Sequence, residues 1–150
     1  MRLIQRLSLL WALLLATALS STAAAADDTV SVRGILVSAS REAGETDKSL
    51  APYEANLRRI LRFESFRRLG AGRAKAALPG EGSFNVGQGQ TLRFHAEEAG
   101  EGRVRIQLEW QGGSRTFMRT GLILRSGVPA VLGGPSQPDG GVYALIVIAE

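Results

Sequence analysis

The chain of 150 residues contains no cysteine, a single histidine and few aromatic side chains. Without cysteine the protein can form neither a disulfide framework nor a lipoprotein anchor, so a folded domain must rely on its apolar core. A Ser-His-Asp triad would have to use His95, because no other histidine is present. The serines form no G-x-S-x-G motif, and no glycine pair completes a dinucleotide fingerprint. We therefore expect no cofactor.

The N-terminal segment has the three parts of a secretory signal peptide. Two arginines precede an apolar stretch, Leu7–Leu19, and small residues follow up to Ala26. The apolar stretch is shorter than the about 20 residues that a spanning helix needs, which disfavours an uncleaved anchor. We expect residues 1–26 to be removed by cleavage after Ala26, leaving a periplasmic or secreted bacterial domain of residues 27–150.

Charge and composition restrict the partners of that domain. The signal peptide contains two of the eighteen basic residues, so the remaining sixteen face fourteen acidic residues and the net charge falls from +4 to +2. Few aromatic residues are available to stack on bases, which argues against nucleic acid as a partner. An envelope protein or an anionic envelope polymer is the expected partner, and the membrane is contacted only through the transient signal peptide.

One segment has helical periodicity. Apolar residues recur at helical spacing over Asp47–Arg62, which predicts an amphipathic helix capped by Asp47 or Ser49. Pro52 is tolerated in the first turn.

The rest of the chain has the short, alternating runs and glycine turns of β-strands. Gly70-Ala71-Gly72 is predicted to separate two of them, and the last strand, apolar on both faces, is expected at the centre of a sheet. The resulting prediction is an α+β domain with one helix and a mostly antiparallel sandwich or roll of about eight strands. The predicted strands cover 30–39, 63–69, 73–78, 83–86, 91–96, 103–110, 116–124, 128–132 and 142–149.

A cluster of basic residues is the first candidate site. Seven positive charges fall within eighteen residues and could bind an anion or an acidic partner. Alternatively, three of them complement the dipole of the predicted helix and the others occupy solvent-facing strand positions. The cluster consists of Arg58, Arg59, Arg62, Arg67, Arg68, Arg73 and Lys75.

The second candidate is His95 with the carboxylates that follow it, Glu97, Glu98 and Glu101. An imidazole beside carboxylates can bind a metal ion or transfer a proton. The alternative is a solvated strand end followed by an acidic turn.

Two tracts resemble known families. The span L-A-P-Y-E-A-N-L-R-R-I-L-R-F-E-S-F at 50–66, with L-G-G-P at 132–135 and the closing strand G-V-Y-A-L-I-V-I, resembles a family of uncharacterised exported bacterial proteins. That likeness implies export and a bacterial source but no activity. The segment 124–134 resembles a hairpin of secretin-type outer-membrane channels, which implies an accessory role in an envelope assembly.

These observations favour an exported, non-enzymatic binding or envelope-assembly domain. The alternatives are a small hydrolase or metal-dependent enzyme centred on His95, and an accessory subunit of a secretion or pilus system.

Overall fold

A computed structural model describes residues 28–150. The predicted signal peptide lies outside these residues. Within them, a 3-10 helix, Lys48–Tyr53, runs directly into the helix α1, Glu54–Ile60, and no helix is long and apolar enough to cross a bilayer. The strands are β1 Thr29–Ser40, β2 Ser65–Ala77, β3 Gly80–Gly87, β4 Gln90–Gly100, β5 Arg103–Gly112, β6 Arg115–Arg125, β7 Ala130–Ser136 and β8 Val142–Ala149.

The eight strands form two four-stranded antiparallel sheets. Sheet A has the order β2-β1-β8-β7, and sheet B has the order β3-β4-β5-β6. Sheet B is a meander in which each strand pairs with the next along the chain. The two sheets pack face to face, with a hydrophobic core between them that includes Leu36, Leu145, Phe94, Ile106 and Trp110.

The predicted α+β class is wrong, because strands account for 65% and helices for 11% of the described residues. The domain is a mainly-β sandwich. Instead of one helix over Asp47–Arg62, the segment forms a 3-10 turn that contains Pro52 and then a seven-residue α-helix. The predicted cap at Asp47 is confirmed, since its carboxylate accepts hydrogen bonds from the backbone and side chain of Ser49. Leu61 then adopts an extended conformation and buries its side chain, which ends the helix.

The outer face of sheet A is covered by these two helices. Leu50, Leu57 and Leu61 pack on the side chains of β1 and β8 that point away from the other sheet, such as Val37 and Ile146. The two central strands are therefore buried on both faces, and the predicted central position of the last strand is confirmed: β8 lies between β1 and β7. A strand that is buried on both faces has a continuous run of apolar residues, whereas a strand with one solvent-exposed face alternates apolar and polar residues.

One side of the sandwich is closed by direct backbone packing between β2 and β3. The prediction that Gly70-Ala71-Gly72 separates two strands is wrong, since the glycines lie inside the continuous strand β2. A Cβ atom at Gly70 would overlap the carbonyl oxygen of Val86, and one at Gly72 would overlap that of Asn85. Glycine is needed here because it allows two backbones to approach closely, not because the chain turns.

The other side of the sandwich is open. There β6 is the last strand of sheet B and β7 is the last strand of sheet A, and within residues 28–150 no backbone ladder joins them. Half-buried apolar side chains of these two strands, such as Phe117, Leu122 and Leu132, pack against the core.

Candidate functional site: a polar trough across sheet B

The outer face of sheet B carries polar side chains in rows that cross all four strands. Antiparallel pairing places Glu81, His95, Gln107 and Gly121 side by side in one row. The adjacent row consists of Ser83, Arg93, Glu109 and Arg119. Neighbouring strands are about 4.8 Å apart, so each row spans about 14 Å.

These two rows line a trough of about 750 Å³, open to solvent along its length. Its volume lies within the range of small-ligand sites. The trough continues to β6, where Gly121 contributes no side chain to its floor. The amide of the neighbouring Gln107 lies 3.3 Å from where a Cβ atom at Gly121 would stand.

Glu109 is held by two neighbours in the trough. One carboxylate oxygen accepts a hydrogen bond from Arg119 Nε at 2.9 Å, and the other accepts one from the amide of Gln111. The hydrogen bond from Arg119 is the main cause that lowers the pKa of Glu109 below its ordinary value of 4.5, against the opposing effect of desolvation. Glu109 is thus an ionised group whose two oxygens both have partners.

Arg119→Gln is expected to raise the pKa of Glu109 toward 4.5, because the substitution removes the donor and the charge that favour the carboxylate. Since the folded-state pKa lies below the unfolded value, this interaction stabilises the protein above pH 4.5 and is lost as the pH falls through the folded-state pKa. An NMR titration of the Glu109 carboxyl carbon measures the change. Arg105→Gln, which removes the partner of Glu97 on the same face, is the control, and an equal shift in both variants would contradict the assignment.

Arg93 differs from Arg119 in that its guanidinium has no ion-pair partner among residues 28–150. It lies directly opposite Glu109 in the β4–β5 pairing, and its positive charge contributes weakly to the low pKa of that group. Its side chain is exposed and makes no ion pair or hydrogen bond with any side chain in residues 28–150. Its guanidinium donors, beside the hydroxyl-bearing Ser83, therefore face the trough and are available to an acceptor.

His95 lies in the trough, but its neighbours differ from the predicted ones. Its Nδ1 atom is 3.9 Å from Oε1 of Glu81, which lies on β3 and was not predicted. Glu97 shares the face of His95 but pairs with Arg105 at 3.5 Å.

The other two predicted carboxylates lie away from the imidazole. Glu98 alternates to the opposite face of β4, and Glu101 lies in the turn that follows, where it pairs with Arg103 at 3.8 Å. Across residues 28–150 no three metal-ligating side chains come together.

The predicted basic cluster is divided by the fold. On β2 the side chains of Arg68, Arg73 and Lys75 lie on the outer face of sheet A, whereas Arg67 points to the opposite face. Arg73 pairs with Arg33 of β1, which donates a hydrogen bond to Tyr53 and lies 3.6 Å from Glu150.

The helix arginines of the cluster are partly engaged. Arg58 binds Glu54 at 3.0 Å and lies over the ring of Phe66, and Arg59 donates a hydrogen bond to Asn56. Arg62 is exposed beyond the end of α1. The seven residues thus occupy a helix end and two faces of one strand. Anion binding by this cluster stays a prediction.

Most residues that form the trough were missed at the level of sequence. Their only sequence signal is the polar phase of the alternating strands at 91–96 and 103–110, which indicates a wet face but not which residues lie side by side. Strand register, including the bulge between Trp110 and Gln111, decides that Arg119 meets Glu109.

Comparison with protein-family models, curated proteins and solved structures gives no match.

Proposed function

We propose that the protein is an exported, non-enzymatic binding domain whose ligand occupies the trough across sheet B. The observation that carries the proposal is the exposed guanidinium of Arg93 in the middle of the trough, with no ion pair among residues 28–150. The hydroxyl of Ser83, opposite Arg93 on β3, and the amide of Gln107, in the adjacent row, are further hydrogen-bonding groups of the trough.

The chemistry of these groups indicates the class of ligand. Guanidinium and amide N–H groups recognise carboxylates and hydroxyls, and a trough open along its length accepts an extended chain. No Phe, Tyr or Trp belongs to the two rows, so we expect the ligand to be bound mainly through polar contacts. An envelope polymer that carries carboxylates and hydroxyls has these properties.

Arg93→Gln is expected to weaken binding to such a polymer about ten- to a hundredfold, because a hydrogen bond to a charged group contributes about 1.5–3 kcal/mol. Purified protein is mixed with insoluble, protein-free bacterial envelope polymer, and the fraction that sediments is measured over a range of polymer concentrations. Circular dichroism confirms that the variant is folded.

Arg73→Gln is the matched control, since it removes the same side chain from an exposed strand position on the outer face of sheet A. Normal binding by this variant and weak binding by Arg93→Gln support the trough. Normal binding by Arg93→Gln and weak binding by Arg73→Gln would contradict the proposal and indicate that the ligand binds the basic cluster on β2.

A further inference from the structure

The open side of the sandwich presents an edge strand. Within residues 28–150, β6 has a strand partner only on its β5 side, so no ladder pairs the backbone groups on its other side. At the end of the strand, the carbonyl of Arg125 accepts a hydrogen bond from the backbone N–H of Val128. An edge of this length is a template for another extended chain. The opposite side of the sandwich is closed by the contact between β2 and β3, which makes β6 the more accessible edge of sheet B.

The side chains along this edge are basic and apolar. Arg115 and Arg125 are exposed and make no ion pair within the described part of the chain. Ile123 is 56% exposed and Val128, just beyond the strand, is 52% exposed. Over residues 28–150 only one other large apolar residue, Ile60, is comparably exposed.

We propose that the β6 edge binds an acidic, extended peptide segment of another protein as a fifth strand of sheet B. The partner's backbone pairs with the free groups of β6, its carboxylates face Arg115 and Arg125, and an apolar side chain covers Ile123. The trough reaches the same strand, but this site uses the free edge of β6 with Arg115 and Arg125, whereas the proposed trough function depends on Arg93.

Self-association through the same edge is disfavoured by charge. Antiparallel pairing of β6 with a second copy brings Arg115, at the start of each strand, next to Arg125, at the end of the other. Like charges directly opposite each other destabilise a strand pair. The arginines therefore oppose a second copy and favour an acidic partner.

The test uses a peptide of the length of β6 with Glu at both ends, opposite Arg115 and Arg125, and alternating Val and Thr between them, so that a Val lies opposite Ile123. A counterpart peptide has Lys in place of Glu. We expect the Glu peptide to bind and to protect backbone amides of residues 115–125 from hydrogen exchange. Arg115→Glu with Arg125→Glu is expected to weaken its binding about tenfold or more, and Arg73→Gln, on the outer face of sheet A, is expected to leave it unchanged.

A third peptide, with the sequence of the Glu peptide but N-methylated at alternate residues, keeps the side chains and removes donors from one edge. Its binding is expected to fall to background if the peptide pairs as a strand. Equal binding of the methylated peptide, equal binding of the Lys peptide, or protection elsewhere without protection of residues 115–125 would overturn the proposal. So would dimerisation of the unliganded protein through β6, measured by sedimentation.

Discussion

Trp110→Ala is expected to lower the free energy of unfolding by about 3–5 kcal/mol, the range for removing a large aromatic side chain from a core. Trp110 is fully buried on the inner face of sheet B. Its ring packs edge-on against Phe117 with centroids 5.9 Å apart. A Cβ atom at Gly134 would overlap the ring, so β7 packs closely against it.

The indole also holds a buried polar partner. Its Nε1 donates a hydrogen bond of 2.8 Å to Oε1 of Gln90, which is only 3% exposed. Without the indole this amide loses its buried partner, and an unsatisfied buried group costs about 1–3 kcal/mol.

Denaturant unfolding followed by far-UV circular dichroism measures the loss. Adding Gln90→Leu to the Trp110→Ala variant is expected to restore about 1 kcal/mol, because the double variant no longer buries an unpaired amide. A loss below about 1 kcal/mol for Trp110→Ala would contradict its position at the centre of the core.

Gly72→Ala is the second substitution with a large expected effect, a loss of about 1–3 kcal/mol or more. The added methyl group would overlap the carbonyl oxygen of Asn85 and press on the ring of Phe84. A backbone carbonyl in a strand cannot move aside as a flexible side chain can, so β2 and β3 must separate.

Gly44→Ala is the control for this prediction. Gly44 lies between β1 and the 3-10 helix, and its added methyl group would meet only Ser65, at an ordinary distance of 3.6 Å. We expect its stability to stay within about 0.5 kcal/mol of the parent protein in the same unfolding experiment. Equal losses in the two variants would show that a general cost of replacing glycine, and not the contact between β2 and β3, is responsible.

The strands on either side of the trough show what the sequence could predict. Leu92, Phe94 and Ala96 alternate with Arg93 and His95, and the structure confirms the buried and the solvent-facing phases of β4. Such alternation is a local property, because one face of sheet B meets the core and the other meets water.

Features that depend on partners distant in sequence were not predictable in this way. Closely spaced glycines such as Gly70 and Gly72 are typical of a turn. They lie within a strand because the backbone of β3 packs directly against them, which no local sequence pattern shows. The helix was predicted too long for a similar reason. Leu61 fits the apolar stripe of a helix, but its burial in the cluster outside sheet A favours an extended backbone. The pairing of Arg119 with Glu109 likewise depends on register across two strands.

The pairing of the first strand with the last has a consequence for the order of folding. Sheet B is a meander, so its four strands can associate as soon as residues 80–125 are available, through contacts between neighbours in sequence. Sheet A cannot, because Val32 of β1 pairs with Ala149 of β8. We expect the meander to form early and β1 to remain without one of its neighbours until the C-terminal strand arrives. A chain with this topology stays incompletely folded until nearly all of it is available, which is compatible with the export that we propose for this protein.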